Sequence, residues 1–180
     1  MTLKNDISEI VLTEEYIASL AKSLGVQITK DYEGKKPILV ALLKGSIMFM
    51  TDLIKNIDTH IEIDFMDVSS YVGTQSSGEV KILKDLSSSI EGRHIIIVED
   101  IVETGNTLNS IIDFLQYRKA ASVEVCTLLD KPVPSRTLDV EVKYIGTKIP
   151  DGFVVGYGLD FNEYYRNLPY IGLLKPELYS

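Results

Sequence analysis

Residues 95–108 read Ile-Ile-Ile-Val-Glu-Asp-Ile-Val-Glu-Thr-Gly-Asn-Thr-Leu: an apolar strand, two adjacent acids, a short hydroxyl-bearing turn with a glycine, and the start of a helix. Glu99 and Asp100 stand where a buried parallel strand emerges. Adjacent carboxylates in that place accept hydrogen bonds from sugar hydroxyls or bind a hard cation, directly or through water. Glu103, Thr104, Gly105, Asn106 and Thr107 then offer backbone N–H groups, two hydroxyls and a helix N-terminus, which together suit a phosphate. Gly105 lets the backbone come close. The stretch has neither the G-x-G-x-x-G of a dinucleotide site nor the G-K-[ST] of a P-loop. Acids that merely end a strand and start a helix would account for Glu99 or Asp100, but not for the whole pattern.

Other polar residues say less by themselves. Lys44 after an apolar run reads as a surface charge, Arg166 in YYRNL as a solvated charge, and Phe153 in FVVGYG as core. Ser70 and Tyr71 are residue types common in exposed loops. Cys126 lies inside an apolar strand pattern and reads as packing. His60 and His94 are isolated and give no metal-ligand spacing.

These residues need elements to hold them. Apolar runs at Pro37–Leu43, Ile61–Val68, His94–Val98, Ser122–Leu129, Val140–Ile145 and Phe153–Val155 predict strands. Near-continuous apolar runs suit a sheet covered on both faces. Ile17, Leu20, Ala21 and Leu24 recur at helical spacing, with Thr13 as N-cap and Gly25 as the stop. A second helix follows Gly45, and a third starts near Asn106 with Leu108, Ile111, Ile112 and Leu115 on one face. The alternation predicts an α/β fold, a mostly parallel twisted sheet flanked by helices, with ligands at the carboxyl ends of the strands. Residues 69–78 lack apolar periodicity and are rich in Ser, Gly and Thr; they read as a long loop, and such loops are often lids. No repeat or linker divides the chain, so residues 1–180 are expected to form one domain.

Composition bounds the function. Of the 180 residues, 45% are hydrophobic and 24% charged, close to an ordinary globular protein. One cysteine permits no internal disulfide, which points to the cytoplasm. Charges in the first ten residues exclude a signal peptide, and no apolar run is long enough to cross a bilayer. A net charge of −8 argues against general nucleic-acid binding, since phosphate-backbone affinity comes from Lys and Arg. A small phosphorylated ligand remains open, with backbone amides, a few cations and a metal ion offsetting the charge.

VEDIVETGNTL (98–108) resembles the motif by which type I phosphoribosyltransferases bind phosphoribosyl pyrophosphate (PRPP). The resemblance covers nearly the whole chain and narrows to the hypoxanthine-guanine phosphoribosyltransferases through LLKGS (42–46), DFMDVSSY (64–71), LLDK (128–131) and DGFVVGYGLDFNEYYRNLPYIGLLKPELY (151–179). It implies that fold, with a small hood built from the chain termini. It implies a purine salvage enzyme that uses PRPP and a 6-oxopurine with Mg²⁺, and that forms dimers or tetramers. Ribose and 5-phosphate would meet Glu99, Asp100, Glu103, Thr104, Gly105, Asn106 and Thr107. Pyrophosphate would meet Lys44, Gly45, Ser70, Tyr71 and Arg166, with a peptide bond between Leu43 and Lys44 that is often cis in the family. The purine would meet Lys131, Phe153, Val154 and Asp160. Magnesium would be held by Glu99, Asp100 and Asp160. Glu103 would be the general base, although most of the family has Asp there. The same resemblance leaves two rivals: a PRPP-sensing regulator that binds nucleic acid, and a phosphoribosyltransferase for adenine or a pyrimidine. The acidic charge and the joint presence of Lys131, Phe153 and Arg166 count against the first. Lys131 counts against adenine, because an ammonium donates to a carbonyl oxygen and cannot accept from an amine.

Overall fold

The computed structural model describes residues 2–70, 80–137, 141–149 and 151–179. After a 3-10 turn at Leu3–Asp6, the order is β1 (Ile7–Leu12), α1 (Glu14–Asp31), β2 (Ile38–Leu43), α2 (Ile47–Ile54), β3 (Glu62–Ser70), β4 (Val80–Lys84), β5 (His94–Val102), α3 (Asn106–Tyr117), β6 (Ser122–Asp130), β7 (Tyr144–Lys148), β8 (Val154–Val155) and β9 (Ile171–Leu174). Among the described residues there are two sheets, a six-stranded one in the order β4-β3-β2-β5-β6-β7 and a three-stranded one in the order β1-β9-β8. The larger sheet is parallel except for β4, which runs antiparallel to β3. The smaller sheet joins the first strand to the last two, which is the expected hood.

Both faces of the large sheet are buried, as the apolar runs require. Leu39, Ala41, Ile96 and Val98 pack with Ile17, Leu24 and Ile28 of α1 and Phe49 and Leu53 of α2. Their sequence neighbours Ile38, Val40, Ile95 and Ile97 pack with Leu108, Ile111, Ile112 and Leu115 of α3. Cys126 is fully buried in the first of these clusters. His94 is also structural: its Nδ1 lies 2.8 Å from the Ser122 hydroxyl and its ring meets that of Tyr32 edge-on.

Strand order fixes the place of the site. The chain goes from β2 to β3 on one side, and β5 enters on the other side of β2, so the direction of winding changes between β2 and β5. Crevices at such a switch point bind ligands in open α/β sheets. Here the loops after β2, β5 and β6 leave neighbouring strand ends and carry Lys44–Gly45, Glu103–Thr107 and Lys131.

The structure corrects several expectations. β5 continues to Val102, so Glu99 and Asp100 lie within the strand. Pairing with β2 stops at Ala41 and Val98, while pairing with β6 continues to Val102 and Asp130. The acids therefore occupy a strand end that has lost one neighbour, and that open side makes them tolerable. β3 runs to Ser70, so Ser69 and Ser70 belong to a strand that pairs with β4, a strand the sequence reading missed along with β1 and β9. The lid expected at 69–78 falls outside the described residues from Tyr71 onward. β7 begins at Tyr144 rather than Val140.

Thr13 does cap α1, its hydroxyl accepting from the Tyr16 N–H at 3.3 Å. Gly25 does not end that helix, which continues to Asp31. The glycine is there for contact: a Cβ on it would stand 2.6 Å from the Cβ and the carbonyl oxygen of Asn56. Replacing a helical Gly by Ala ordinarily stabilises by about 1 kcal/mol. Gly25→Ala is expected to do the reverse, destabilising by about 1–3 kcal/mol through overpacking, as read from the midpoint of urea unfolding.

Candidate active site

A cavity of about 390 Å³ opens at the switch point, lined by Lys44, Gly45, Glu99, Asp100, Glu103, Thr104, Gly105, Thr107, Asp160 and Arg166 among others. A second, of about 170 Å³, is lined by Lys131, Gly152, Phe153, Val154 and Leu159. Ile101, Glu103 and Asp160 line both, so the two are neighbours with shared walls. The sequence-expected residues thus fall into two adjoining chambers. Asn106 lines neither chamber; its side-chain oxygen accepts from the Thr137 hydroxyl. Ser70 ends β3 and Tyr71 lies outside the described residues.

The turn at Glu103–Thr107 follows from local chain geometry. Gly105 caps α3 at φ +83°, a left-handed conformation that side chains resist. The turn is strapped from outside: the Thr137 N–H donates to the Thr104 carbonyl at 2.8 Å, and the Asn109 amide donates to the Thr137 carbonyl at 2.7 Å. Thr137 is a supporting residue that no local signal in the sequence marks.

Gly45 sits where chain segments crowd together. The peptide bond between Leu43 and Lys44 is cis. A Cβ on Gly45 would lie 1.7 Å from Asp100 Oδ2, and one on Gly158, at φ +99°, would lie 1.9 Å from the Gly45 carbonyl oxygen. Position 158 therefore requires glycine, and a side chain at Gly45 would push the Asp100 carboxylate out of its place. Gly158 and Arg166 are bonded in both directions, the Gly158 N–H donating to the Arg166 carbonyl at 2.9 Å and Arg166 Nη1 donating to the Gly158 carbonyl at 2.8 Å. Next door, the buried Tyr157 hydroxyl donates to Asp52 on α2 at 2.5 Å. The segment carrying Asp160 and Arg166 is thereby fastened to the helix that follows Lys44 and Gly45.

Arg166 Nη2 pairs with Asp160 Oδ1 at 2.9 Å. Lys44 pairs with Glu163 at 2.9 Å, another partner that sequence reading missed. In the second chamber Lys131 Nζ lies 2.9 Å from Glu103 Oε1 and donates to the Gly152 carbonyl at 3.1 Å. Phe153 stacks on Tyr179, with centroids 5.1 Å apart, and meets Phe161 edge-on, so one of its faces is already covered.

Glu99 and Asp100 are half-buried and enter no ion pair among the described residues. Burial, and then the neighbouring Asp100 charge, hold the Glu99 carboxyl well above its ordinary range. Burial likewise pushes Asp100 up to about 6, against the opposing effect of the Ile101 N–H that it accepts. Two carboxylates without a matching cation fit a hard divalent ion. Among the described residues no three acidic, His or Cys side chains close around one point. The pair would leave most of such an ion's shell to waters and substrate oxygens.

A family model for the phosphoribosyl transferase domain matches residues 8–162. This chain belongs to the phosphoribosyltransferase family. A hypoxanthine-guanine phosphoribosyltransferase of Staphylococcus aureus is 63% identical over 179 residues, covering 99% of each chain. One from Staphylococcus epidermidis is 59% identical over the same share. The crystal structure of a Staphylococcus aureus hypoxanthine phosphoribosyltransferase superposes with a TM-score of 0.93 at 63% identity, covering 99% of this chain and 97% of that one. In phosphoribosyltransferase terms, the motif resemblance and the fold agree over the full length.

The raised Asp100 titration has a consequence for stability. In the unfolded chain the carboxyl ionises near 3.8, in the folded one near 6. The folded state thus holds the proton longer, and stability present at low pH is lost as pH rises from about 4 to 6. In metal-free buffer Asp100→Asn should gain on the parent across that window, by up to about 3 kcal/mol. Urea midpoints at pH 4, 5, 6 and 7 test this, and parallel curves for the two proteins would refute it.

Proposed function

We propose that this chain transfers the 5-phosphoribosyl group from PRPP to hypoxanthine or guanine, giving IMP or GMP and pyrophosphate. The family and its full-length relatives support the reaction. The observation that carries the base assignment is the Glu103–Lys131 pair, 2.9 Å apart, where the two chambers meet. A 6-oxopurine bearing hydrogen on N7 presents a donor beside the O6 acceptor. A carboxylate only accepts and an ammonium only donates, so the pair is complementary to that edge. Adenine would set its amine against Lys131, donor against donor.

In this reading the 5-phosphate lies against residues 103–107 and the ribose hydroxyls face Glu99 and Asp100. Pyrophosphate is met by Lys44, Gly45, Ser70, Tyr71 and Arg166, and the base by Lys131, Phe153, Val154 and Asp160. Positive charge grows on the ribose C1 as the leaving group departs. The Lys44 and Arg166 cations meet the negative charge gathering on the leaving oxygens. Purine N9 attacks C1 while Glu103 accepts the proton from N7, and the chain forms no covalent bond to substrate. Magnesium, when bound at Glu99, Asp100 and Asp160, supplies further positive charge to the departing oxygens. Segment 69–78 acts as a lid that keeps water from the activated sugar.

The reading extends to a cytoplasmic homo-oligomer, a dimer or tetramer. The single, buried Cys126 supports a reducing compartment, and no helix among the described residues is long and apolar enough to cross a membrane.

A spectrophotometric panel of hypoxanthine, guanine, xanthine and adenine with PRPP and Mg²⁺ tests the assignment; adenine as the best substrate would overturn it. Lys131→Ala should lower kcat/KM for hypoxanthine and guanine roughly tenfold or more while PRPP affinity holds. Glu103→Gln should cut kcat by roughly 10² to 10⁴, with Glu103→Asp falling between it and the parent. Equal rates for Glu103 and Gln would remove this residue from proton transfer.

A further inference from the structure

One carboxylate oxygen ties together the two cations assigned above to the leaving group. Glu163 Oε2 lies 2.9 Å from Lys44 Nζ and 3.4 Å from Arg166 Nη2. Its backbone N–H donates to Asp160 Oδ2 at 2.9 Å. The local chain is shaped to put it there. Asn162 and Glu163 have φ +52° and +69°, in a turn where Phe161 and Tyr164 exchange hydrogen bonds of 3.2 and 3.0 Å. Two successive left-handed residues make a tight reversal that folds back on itself, and it returns Glu163 to Asp160 and Arg166.

The two carboxylates on Arg166 differ in kind. Asp160 is half-buried and lines both chambers, whereas the Glu163 side chain is 63% exposed and lines neither. An exposed ion pair of this sort is weak and readily exchanged. Arg166 Nε is also buried with no hydrogen-bond partner among the described residues.

We propose that Glu163 is a built-in competitor for the leaving group: its carboxylate holds Lys44 and Arg166 when the pyrophosphate position is empty, and it withdraws when pyrophosphate oxygens take the same cations. The inference rests on the placement of pyrophosphate given above. A carboxylate left in contact with a bound polyanion would face like charge across a few ångströms, which is unfavourable even near solvent. Displacing it lowers the net affinity for pyrophosphate and so favours its release. The opposite role, in which Glu163 steadies Lys44 for the anion, makes the opposite prediction.

Calorimetric titration of pyrophosphate in magnesium buffer separates them, using the parent, Glu163→Gln, Lys44→Ala and the double variant. Glutamine keeps the size and removes the charge. Glu163→Gln is expected to bind pyrophosphate about two- to fivefold more tightly than the parent. That gain should shrink when Lys44 is also absent, because the two residues act through one contact. Binding to Glu163→Gln that is equal to or weaker than the parent's overturns the competitor role while leaving the pyrophosphate site standing. A parent protein that does not bind pyrophosphate at all overturns the placement of the leaving group, and the competitor with it.

Discussion

The absence of a side chain at Gly45 is the constraint on which the site turns. Its α-carbon is pressed by the Asp100 carboxylate, and its carbonyl oxygen is met by Gly158. Those contacts bring together the loop after β2, the end of β5 and the segment after β8. No two of these segments are consecutive in the chain. Their convergence brings cation, acid and guanidinium to one cavity without a long flexible side chain spanning the gap. The Tyr157–Asp52 bond then holds the approach from the other side of the same joint. In a close-packed interior such a joint does not deform gradually, so the backbone spacing of these segments is fixed while the exposed Lys44 side chain keeps its rotamer freedom.

The electrostatics look unfavourable until they are divided by place. A chain of net charge −8 that receives a polyphosphate must spend its cations sparingly. Arg166 is shared between Asp160 and Glu163, and Lys44 and Lys131 each have a carboxylate partner. Glu99 and Asp100 enter no ion pair among the described residues, and burial keeps their protons bound to unusually high pH. The site therefore holds one region where acid and base are matched and one where acid is in excess. An anion and a divalent ion arriving together satisfy both regions, whereas either one alone satisfies only half.

How much of this was legible in the sequence depends on whether the cause was local. The run from Ile95 to Leu108 reads correctly because a buried strand, a tight turn and an amphipathic helix each leave a periodic mark within a few residues. Thr13 as a cap is local in the same way. The length of β5 was not legible, because acids in a strand are tolerated only where a neighbouring strand stops, and that depends on β2. Gly25 looks like a helix stop to any local rule; its actual reason, contact with Asn56, lies 31 residues away. β1 and β9 are short, and β1 is mostly exposed, so neither has a strong alternation. Lys44, Phe153, Lys131 and Arg166 were marked only by family resemblance. Glu163, Thr137 and the Tyr157–Asp52 bond had neither a periodic nor a motif signal, since each meets a partner on a segment far away in the sequence: Lys44, Thr104 and α2.

The pairing of β1 with β9 places Ile7–Leu12 and Ile171–Leu174 in one small sheet, with β8 and the wall of the smaller chamber beside them. The loops carrying Lys44–Gly45, Glu103–Thr107 and Lys131, by contrast, follow strands of the larger sheet. β9 lies between β1 and β8, so Val154 and Val155 are joined to the first strand only through Ile171–Leu174. A chain cut before Ile171 would lose the strand that joins β1 to β8, and with it the support of the wall that sets Val154 beside Lys131 and Phe153.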